Sequence, residues 1–357
     1  MPKAQRQKLI GRIEELRSST VICYLTSLRP NVAGAMADDA VRVMFDHLLA
    51  LPAPPVDKLD VFLCSNGGSG TVPWRLVSLF REFSKSFAVL VPYRAYSAAS
   101  LLALGADEIV MHPFGELGPI DPTVSNDFNP VEHGRRIGIN VEDVRAYVNF
   151  VKSGVGITHE DELIKAIEIL ANKVHPLALG NVERFLAQSR MIAAKILRTH
   201  MKDVDDHVIS EIVENMASKL YFHGHPINRR EAKNDLKLKV NLELQPELET
   251  AMWDLYCQYE AAFENRETFN PVADLASIAD PDERAKGKHY ELRHAVVESA
   301  NRTDWFITRR RFKETQGPQP GQQQIREEIL WQGWTQEEEA EAESRSPPSE
   351  TNPVDAR

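Results

Sequence analysis

The sequence predicts an α/β fold with parallel strands at its centre, and three observations carry that prediction. The first 130 residues alternate apolar, β-branched runs with amphipathic helical stretches. Each run is apolar at successive positions, so its strand is buried on both faces, as in a parallel sheet covered by crossover helices. The composition, 43% hydrophobic and 26% charged over 357 residues, is that of a globular chain with enough apolar surface for one large domain or two ordinary ones.

The elements follow in order. MPKAQRQKLIGRIEELRSS, residues 1–19, is polar and helical. VICYLTSL (Val21 to Leu28) suits a buried strand. The next stretch places Val41, Met44, Phe45, Leu48 and Leu49 on one helical face, and Pro-Ala-Pro-Pro ends it. Lys58 to Ser65 reads as a second buried strand. A glycine loop, the helix WRLVSLFREF and the strand SFAVLVP come next. A helix over Ser97 to Leu104, the strand DEIVMHP and the turn-rich GELGPIDP complete this half. From Val141 to about His200 the pattern is helical, and Asp206–Leu220 adds another helix. Tyr290 to Phe312 alternates apolar and polar residues, a β-hairpin turning at Ala300-Asn301. The main domain is therefore expected over 20–314. Residues 315–357 read as a mostly disordered acidic tail, in which Ile325, Ile329, Leu330, Trp331 and Trp334 stand at roughly helical spacing.

Charge and cysteine usage exclude several function classes. The net charge of -10 argues against a nucleic-acid partner. No apolar run approaches the ~20 residues of a transmembrane helix, and the leading segment lacks the apolar stretch of a signal peptide. Cys23, Cys64 and Cys257 stand far apart without metal or disulfide spacing, which fits buried thiols in a reducing, cytoplasmic compartment.

Three segments could carry chemistry. Cys64-Ser65-Asn66-Gly67-Gly68-Ser69-Gly70 lies between a strand and a helix, where glycines let backbone N–H groups face an anion. Neither the GxxxxGK[ST] nor the GxGxxG phosphate pattern is present, and a plain tight turn is the commoner use of such a loop. The second segment is Arg94 to Ile109, in which Ser97 opens a helix of very small residues at the mouth of the sheet, where ligands of parallel α/β folds bind. On spacing alone Ser97 reads first as a helix N-cap. The third is Gly115 to Pro122, a sharp turn at the same sheet edge.

Together these segments resemble the ClpP/crotonase-type superfamily on its signal peptide peptidase A side, and within it the serine dehydrogenase proteinase family. The resemblance rests on Ser65-Asn66-Gly67-Gly68, with asparagine where proline is common, and on Tyr96-Ser97-Ala98-Ala99. It continues through Ala106-Asp107-Glu108-Ile109 to Pro113 and Leu117 to Pro122. His175 to Gly180 and Phe222 to Ile227, with Arg230-Glu231-Ala232 after it, extend it over roughly residues 20 to 310. It implies a spiral core of βαβ units, homo-oligomeric assembly and hydrolysis of a peptide substrate through an acyl-enzyme, with no cofactor or metal. The register from Ala106-Asp107 selects Ser97 as nucleophile, whereas an Ala-Ala-Ser reading would select Ser100. Oxyanion donors would be the backbone N–H groups of Ala98 and of Gly67 or Gly68.

A serine hydroxyl needs a neighbouring base. No histidine stands near Ile120, and His112 at a strand end reads as structural. The resemblance offers lysine instead, with a pKa lowered by burial. Lys152 is the first candidate because it follows an apolar run and precedes a glycine; Lys165 and Lys173 lie among acidic neighbours. His223-Gly224-His225 lacks a completing ligand set, and Arg309-Arg310-Arg311 reads as a solvated face or subunit contact. Two other readings stand beside the peptidase: an inactive oligomeric scaffold of the same fold, and a crotonase-type acyl-thioester enzyme.

Overall fold

The computed structural model describes residues 3–121, 123–124, 127–132, 135–219, 224–317 and 323–337. Pro122, Phe222, His223 and residues 338–357 lie outside the described residues.

The first half forms as its periodicity dictates: α1 (Lys3–Arg17), β1 (Thr20–Thr26), α2 (Asp39–Leu49), β2 (Val56–Cys64), α3 (Val72–Phe83), β3 (Ser84–Val91), β4 (Arg94–Ala95), α4 (Ala98–Ala103), β5 (Glu108–Met111) and β6 (Glu116–Leu117). Four two-residue strands follow: β7 (Thr123–Val124), β8 (Val131–Glu132), β9 (Arg135–Arg136) and β10 (Ile139–Asn140). The helical middle comprises α5 (Val141–Asn149), α6 (Glu160–Ala171), α7 (Pro176–Arg198) and α8 (Asp206–Glu214). Two of the expected helices end in wider π turns, at Phe150–Gly154 and Asn215–Lys219. Then come β11 (Ile227–Asn228), α9 (Arg229–Asn234), β12 (Val240–Asn241), α10 (Pro246–Phe263), α11 (Pro271–Ala276), α12 (Pro281–Lys286), β13 (Lys288–Ser299), β14 (Arg302–Gln316) and β15 (Gln323–Gln336).

The central sheet runs β12-β5-β3-β2-β1-β13-β14-β15. Its βαβ half, β1, β2, β3, β5 and β12, is parallel, and the late hairpin joins β1 antiparallel, pairing Tyr24 with Val297. Residue alternation sorts the core into two layers. Ile22, Tyr24, Val61, Leu63 and Val89 pack under α2, α3, α4 and α7. Val21, Cys23, Phe62, Leu90, Val296 and Trp305 pack under α1 and α10. Each large apolar side chain buried in these layers contributes roughly 1.5–3 kcal/mol.

Two elements differ from the sequence expectation. The spacing of Ile325 to Trp334 predicts a helix within a disordered tail, but Gln323–Gln336 is a strand paired along β14. The open edge of β14 supplies its partner, and ion pairs across the ladder fix the register, among them Arg310–Glu327 at 2.7 Å and Lys313–Glu328 at 2.7 Å. Glu337 then accepts from buried Arg6 of α1 at 2.7 Å and from Trp305 at 2.9 Å. The second difference is α10, which the sequence reading passed over. Its buried Leu248, Ala251, Met252, Leu255, Tyr259 and Phe263 keep a helical period, with Pro246 in the first turn.

The α5–α6 stretch contrasts with this core. No residue of α6 is buried, and Phe150, Val155, Ile164, Ile167 and Ile169 are exposed. Among the described residues no helix is long and apolar enough to cross a membrane.

Candidate active site

Ser97 sits where β4 turns into α4, with φ 52° and ψ −115°. That region is disfavoured for any residue carrying a Cβ and costs about 1–3 kcal/mol. A capping serine would have extended φ and ψ and accept an N–H of the first turn. Ser97 does neither, and its side chain makes no capping hydrogen bond. The half-buried hydroxyl is thus presented at the turn and not spent on the helix.

Ser100 is in the opposite state. It is fully buried, its Oγ lies 2.6 Å from Ala95 O and 2.7 Å from Gly118 O, and it accepts Gly118 N–H at 3.0 Å. Its hydroxyl clamps β4 and α4 to the Leu117-Gly118 turn.

The glycine loop closes over the Ser97 turn. Gly67 has φ +97°, and a Cβ there would lie 2.8 Å from Ser97 Cβ and 3.0 Å from Ala98 N. Only a glycine allows this approach. Gly68, at φ +156°, lies against the backbone of Met36, whose N–H donates to Gly67 O and whose carbonyl accepts Ser69 N–H, both at 2.8 Å. Gly67 N–H donates to Ser65 Oγ at 3.0 Å, and Thr26 Oγ1 donates to the same oxygen at 2.8 Å. This narrows the two glycine donors expected from the sequence to one. Among the described residues, Gly68 N–H and Ala98 N–H make no hydrogen bond to the protein. Ala98 is the first residue of α4, so its N–H is one of the orphan donors of a helix start.

The rest of the rim is set by Tyr96, whose phenol donates to Glu116 at 2.7 Å and whose ring covers Gly118. Burial and the Glu116 carboxylate push this phenol well above its ordinary range, so it stays protonated.

Among the described residues no hydrogen bond joins a lysine candidate to Ser97. Lys152 lies on the π turn after α5, Lys165 on α6 and Lys173 beyond it, and all three are exposed. His112 packs instead against α10, stacked on Trp253 at 5.1 Å, and burial lowers its pKa. His225 has a single carboxylate partner: its Nε2 lies 2.7 Å from Glu231. Among the described residues no group of three or more metal-ligating side chains occurs. Arg309, Arg310 and Arg311 are each ion-paired across the sheet, to Glu291, Glu327 and Glu328.

Thr26 and Met36, which position the loop together with Ser65, were not singled out from the sequence. One signal was available: Thr26 and Ser65 each follow the Leu25–Cys64 pair at the ends of adjacent parallel strands.

No family model matches the sequence. An uncharacterized protein of Methanocaldococcus jannaschii is 28% identical over 123 residues, 33% of this chain and 42% of that protein. A second uncharacterized protein of the same organism is 32% identical over 78 residues, 22% of this chain and 27% of the other. The chain thus spans less than half the length of these curated relatives. Among solved structures, a mutant of a membrane-bound stomatin-specific protease matches with a TM-score of 0.34 and 13% identity, over 62% of this chain and 79% of that one. At that score the likeness carries no argument about fold or activity.

Proposed function

We propose that the chain is a serine hydrolase of peptide bonds, with the ClpP/crotonase-like spiral fold and the serine dehydrogenase proteinase family as its setting and the cytoplasm as its compartment. One observation carries the reading: a serine held at φ 52° with no capping bond, against Gly67, in a turn where the neighbouring Ala98 N–H and Gly68 N–H have no partner among the described residues. Ser97 Oγ attacks the substrate carbonyl, and the developing oxyanion is received by Ala98 N–H and Gly68 N–H. Removing one such donor typically costs about 3–4 kcal/mol of transition-state stabilisation. The base passes the serine proton to the leaving amine, and water then releases the acyl group from Ser97.

Lys152 is the base in this proposal, and it requires a cover that dries its amine. The exposed apolar side chains beside it, Phe150 and Val155, form a face that a second copy of the chain would bury, in keeping with a homo-oligomer. The exposure of all three lysines favours a second reading, an inactive scaffold of the same fold.

Fluorophosphonate labelling of the full chain, with mass spectrometry of the labelled peptide, separates the two. The hydrolase is labelled on Ser97; the scaffold is not labelled. Lys152→Met should eliminate peptide turnover with little change in melting temperature. Near-normal turnover in that variant removes Lys152 from the mechanism and passes the test to Lys165 and Lys173.

A further inference from the structure

Arg94 stands three residues before Ser97, and its backbone is tied to both segments of the site. Its carbonyl accepts Ser65 N–H at 2.8 Å, and Tyr96 N–H donates to Ser65 O at 2.9 Å, so β4 is held against the foot of the glycine loop. On its other side β4 pairs with β6, Arg94 opposite Glu116. The side chain is as closely placed. Its Cζ lies 4.7 Å from the Tyr93 ring centre and 5.5 Å from that of Tyr96, the residue that adjoins Ser97. Two cation–π contacts restrain a guanidinium to one orientation. Yet this guanidinium makes no hydrogen bond among the described residues. The Glu116 carboxylate stands 3.7 Å from its Nε, beyond hydrogen-bond reach, and gives an oxygen to the Tyr96 phenol at 2.7 Å instead. The Arg94 side chain is 38% exposed, and its outer nitrogens, unlike Nε, are not sealed from solvent.

That combination defines a ligand. A guanidinium already ordered by two rings loses little freedom on binding, and its planar fork matches a carboxylate through two parallel N–H···O bonds. A neutral carboxamide brings a single acceptor oxygen to the same fork. We propose that Arg94 is the specificity-determining residue of the Ser97 site and receives a carboxylate of the peptide substrate, from an acidic side chain or from the chain end. The proposal rests on the hydrolase reading of Ser97 in calling that peptide a substrate; the carboxylate site itself stands on Arg94. Glu116 works against it, because its charge repels the incoming carboxylate. Removing that charge should therefore sharpen the preference.

Saturation-transfer NMR on the full chain carrying Ser97→Ala reads binding without turnover. The probes are N-acetyl-Ala-Ala-Glu-amide, its glutamine counterpart, and N-acetyl-Ala-Ala-Ala with a free carboxyl end. At pH 7 at least one of the two acids should bind about tenfold or more tighter than the glutamine amide, because only the acids make paired, charge-assisted bonds. Which acid leads tells a side-chain carboxylate from a chain end. Arg94→Met should bring the ratio to about one. Since Arg94→Met also gives up two ring contacts, Glu116→Gln serves as the second variant. It keeps an acceptor for the Tyr96 phenol, removes the opposing charge and should widen the ratio by about threefold, a gain that misfolding does not produce. Equal binding of all three probes, no binding of any, a ratio kept in Arg94→Met or a ratio lowered in Glu116→Gln overturns the proposal. Fluorophosphonate labelling of the parent reports on Ser97 separately. A label with no acid preference keeps the hydrolase and removes Arg94 as its specificity residue. An acid preference with no label keeps the carboxylate site and strikes its part in hydrolysis.

Discussion

Two serines of this chain stand at strand ends in opposite circumstances. Ser299, at the end of β13, lies 2.9 Å from His47 Nδ1, and His47 Nε2 lies 2.9 Å from Asp304. Serine, histidine and aspartate are thus joined in the order of a hydrolytic triad. Ser97 has no base bonded to it among the described residues. Yet His47 is fully buried, Ser299 and Asp304 are nearly so, and Arg302 also holds Asp304, at 2.6 Å. No substrate carbonyl can come within the ~3 Å that attack requires. The trio fastens α2 to the hairpin. Ser97 carries strain, partial exposure and open backbone donors, and it lacks the base. Order of bonding therefore does not identify a site here; access and strain do.

The largest expected effects fall on the strained turn. Ser97→Ala should abolish fluorophosphonate labelling and lower any peptide turnover by at least about 10³-fold, as loss of a nucleophile does, with no fall in melting temperature. Ser97→Gly should also be inactive yet more stable than the parent by about 1 kcal/mol in urea denaturation, because glycine adopts this φ without penalty. A destabilised Ser97→Gly would show that the turn is not strained, and the contrast between the two serines would lose its physical basis.

Gly67→Ala tests the loop against the turn. The added Cβ would meet Tyr96 O at 2.7 Å and Ser97 Cβ at 2.8 Å, at a backbone φ of +97°. Labelling should be lost, and stability should fall by about 1–3 kcal/mol. Labelling at the parent rate would mean that the loop moves freely and does not form the donor pair.

His47→Leu turns the comparison around. It leaves Ser299 and Asp304 buried without their shared partner, at a cost of about 2–4 kcal/mol. Below its lowered melting temperature, Ser97 labelling should stay at the parent rate. A parallel loss of labelling would tie the buried trio to the chemistry and undo its reading as a fastener.

What was legible in the sequence follows the same division. The βαβ half shows itself in runs such as Val21 to Leu28, because a strand buried on both faces must be apolar throughout. The α10 period was equally present in the residues and was overlooked. β15 was not legible, since the spacing of Ile325 to Trp334 fits a helix and only the tertiary edge of β14 makes it a strand. At the candidate site, spacing could not separate Ser97 from Ser100. The separation comes from a dihedral angle at one and three close backbone contacts of the hydroxyl at the other, both set by the packing of β4, α4 and the Leu117-Gly118 turn. The lysine candidates rested on burial, a property that sequence near Lys152 does not determine. His47 reads in sequence as one more residue on the buried side of α2, and its partners lie some 250 positions away.

The smallest expected effect is the most selective probe of the fastener. Burial alone would raise the Asp304 carboxyl pKa, but hydrogen bonds from His47 and Arg302 overcome it and hold the group below the usual carboxylate range. A folded pKa below the unfolded value, ~3.9, means that ionised Asp304 favours the native state. That contribution is complete above the unfolded pKa and is lost as pH falls through the folded one. Asp304→Asn removes the titration while keeping the shape. At pH 7 it should be less stable than the parent by about 1–2 kcal/mol in urea denaturation. As pH falls through its lowered pKa, the parent's own Asp304 takes up its proton and the gap should shrink. Asp107, Glu108 and Glu337 are also held low and steepen the acid limb of both proteins alike, so the difference between the two curves isolates Asp304. A gap that stays constant from pH 7 to pH 3 would mean that the carboxylate's charge contributes nothing to the fastener, whose hold on α2 would then rest on packing alone.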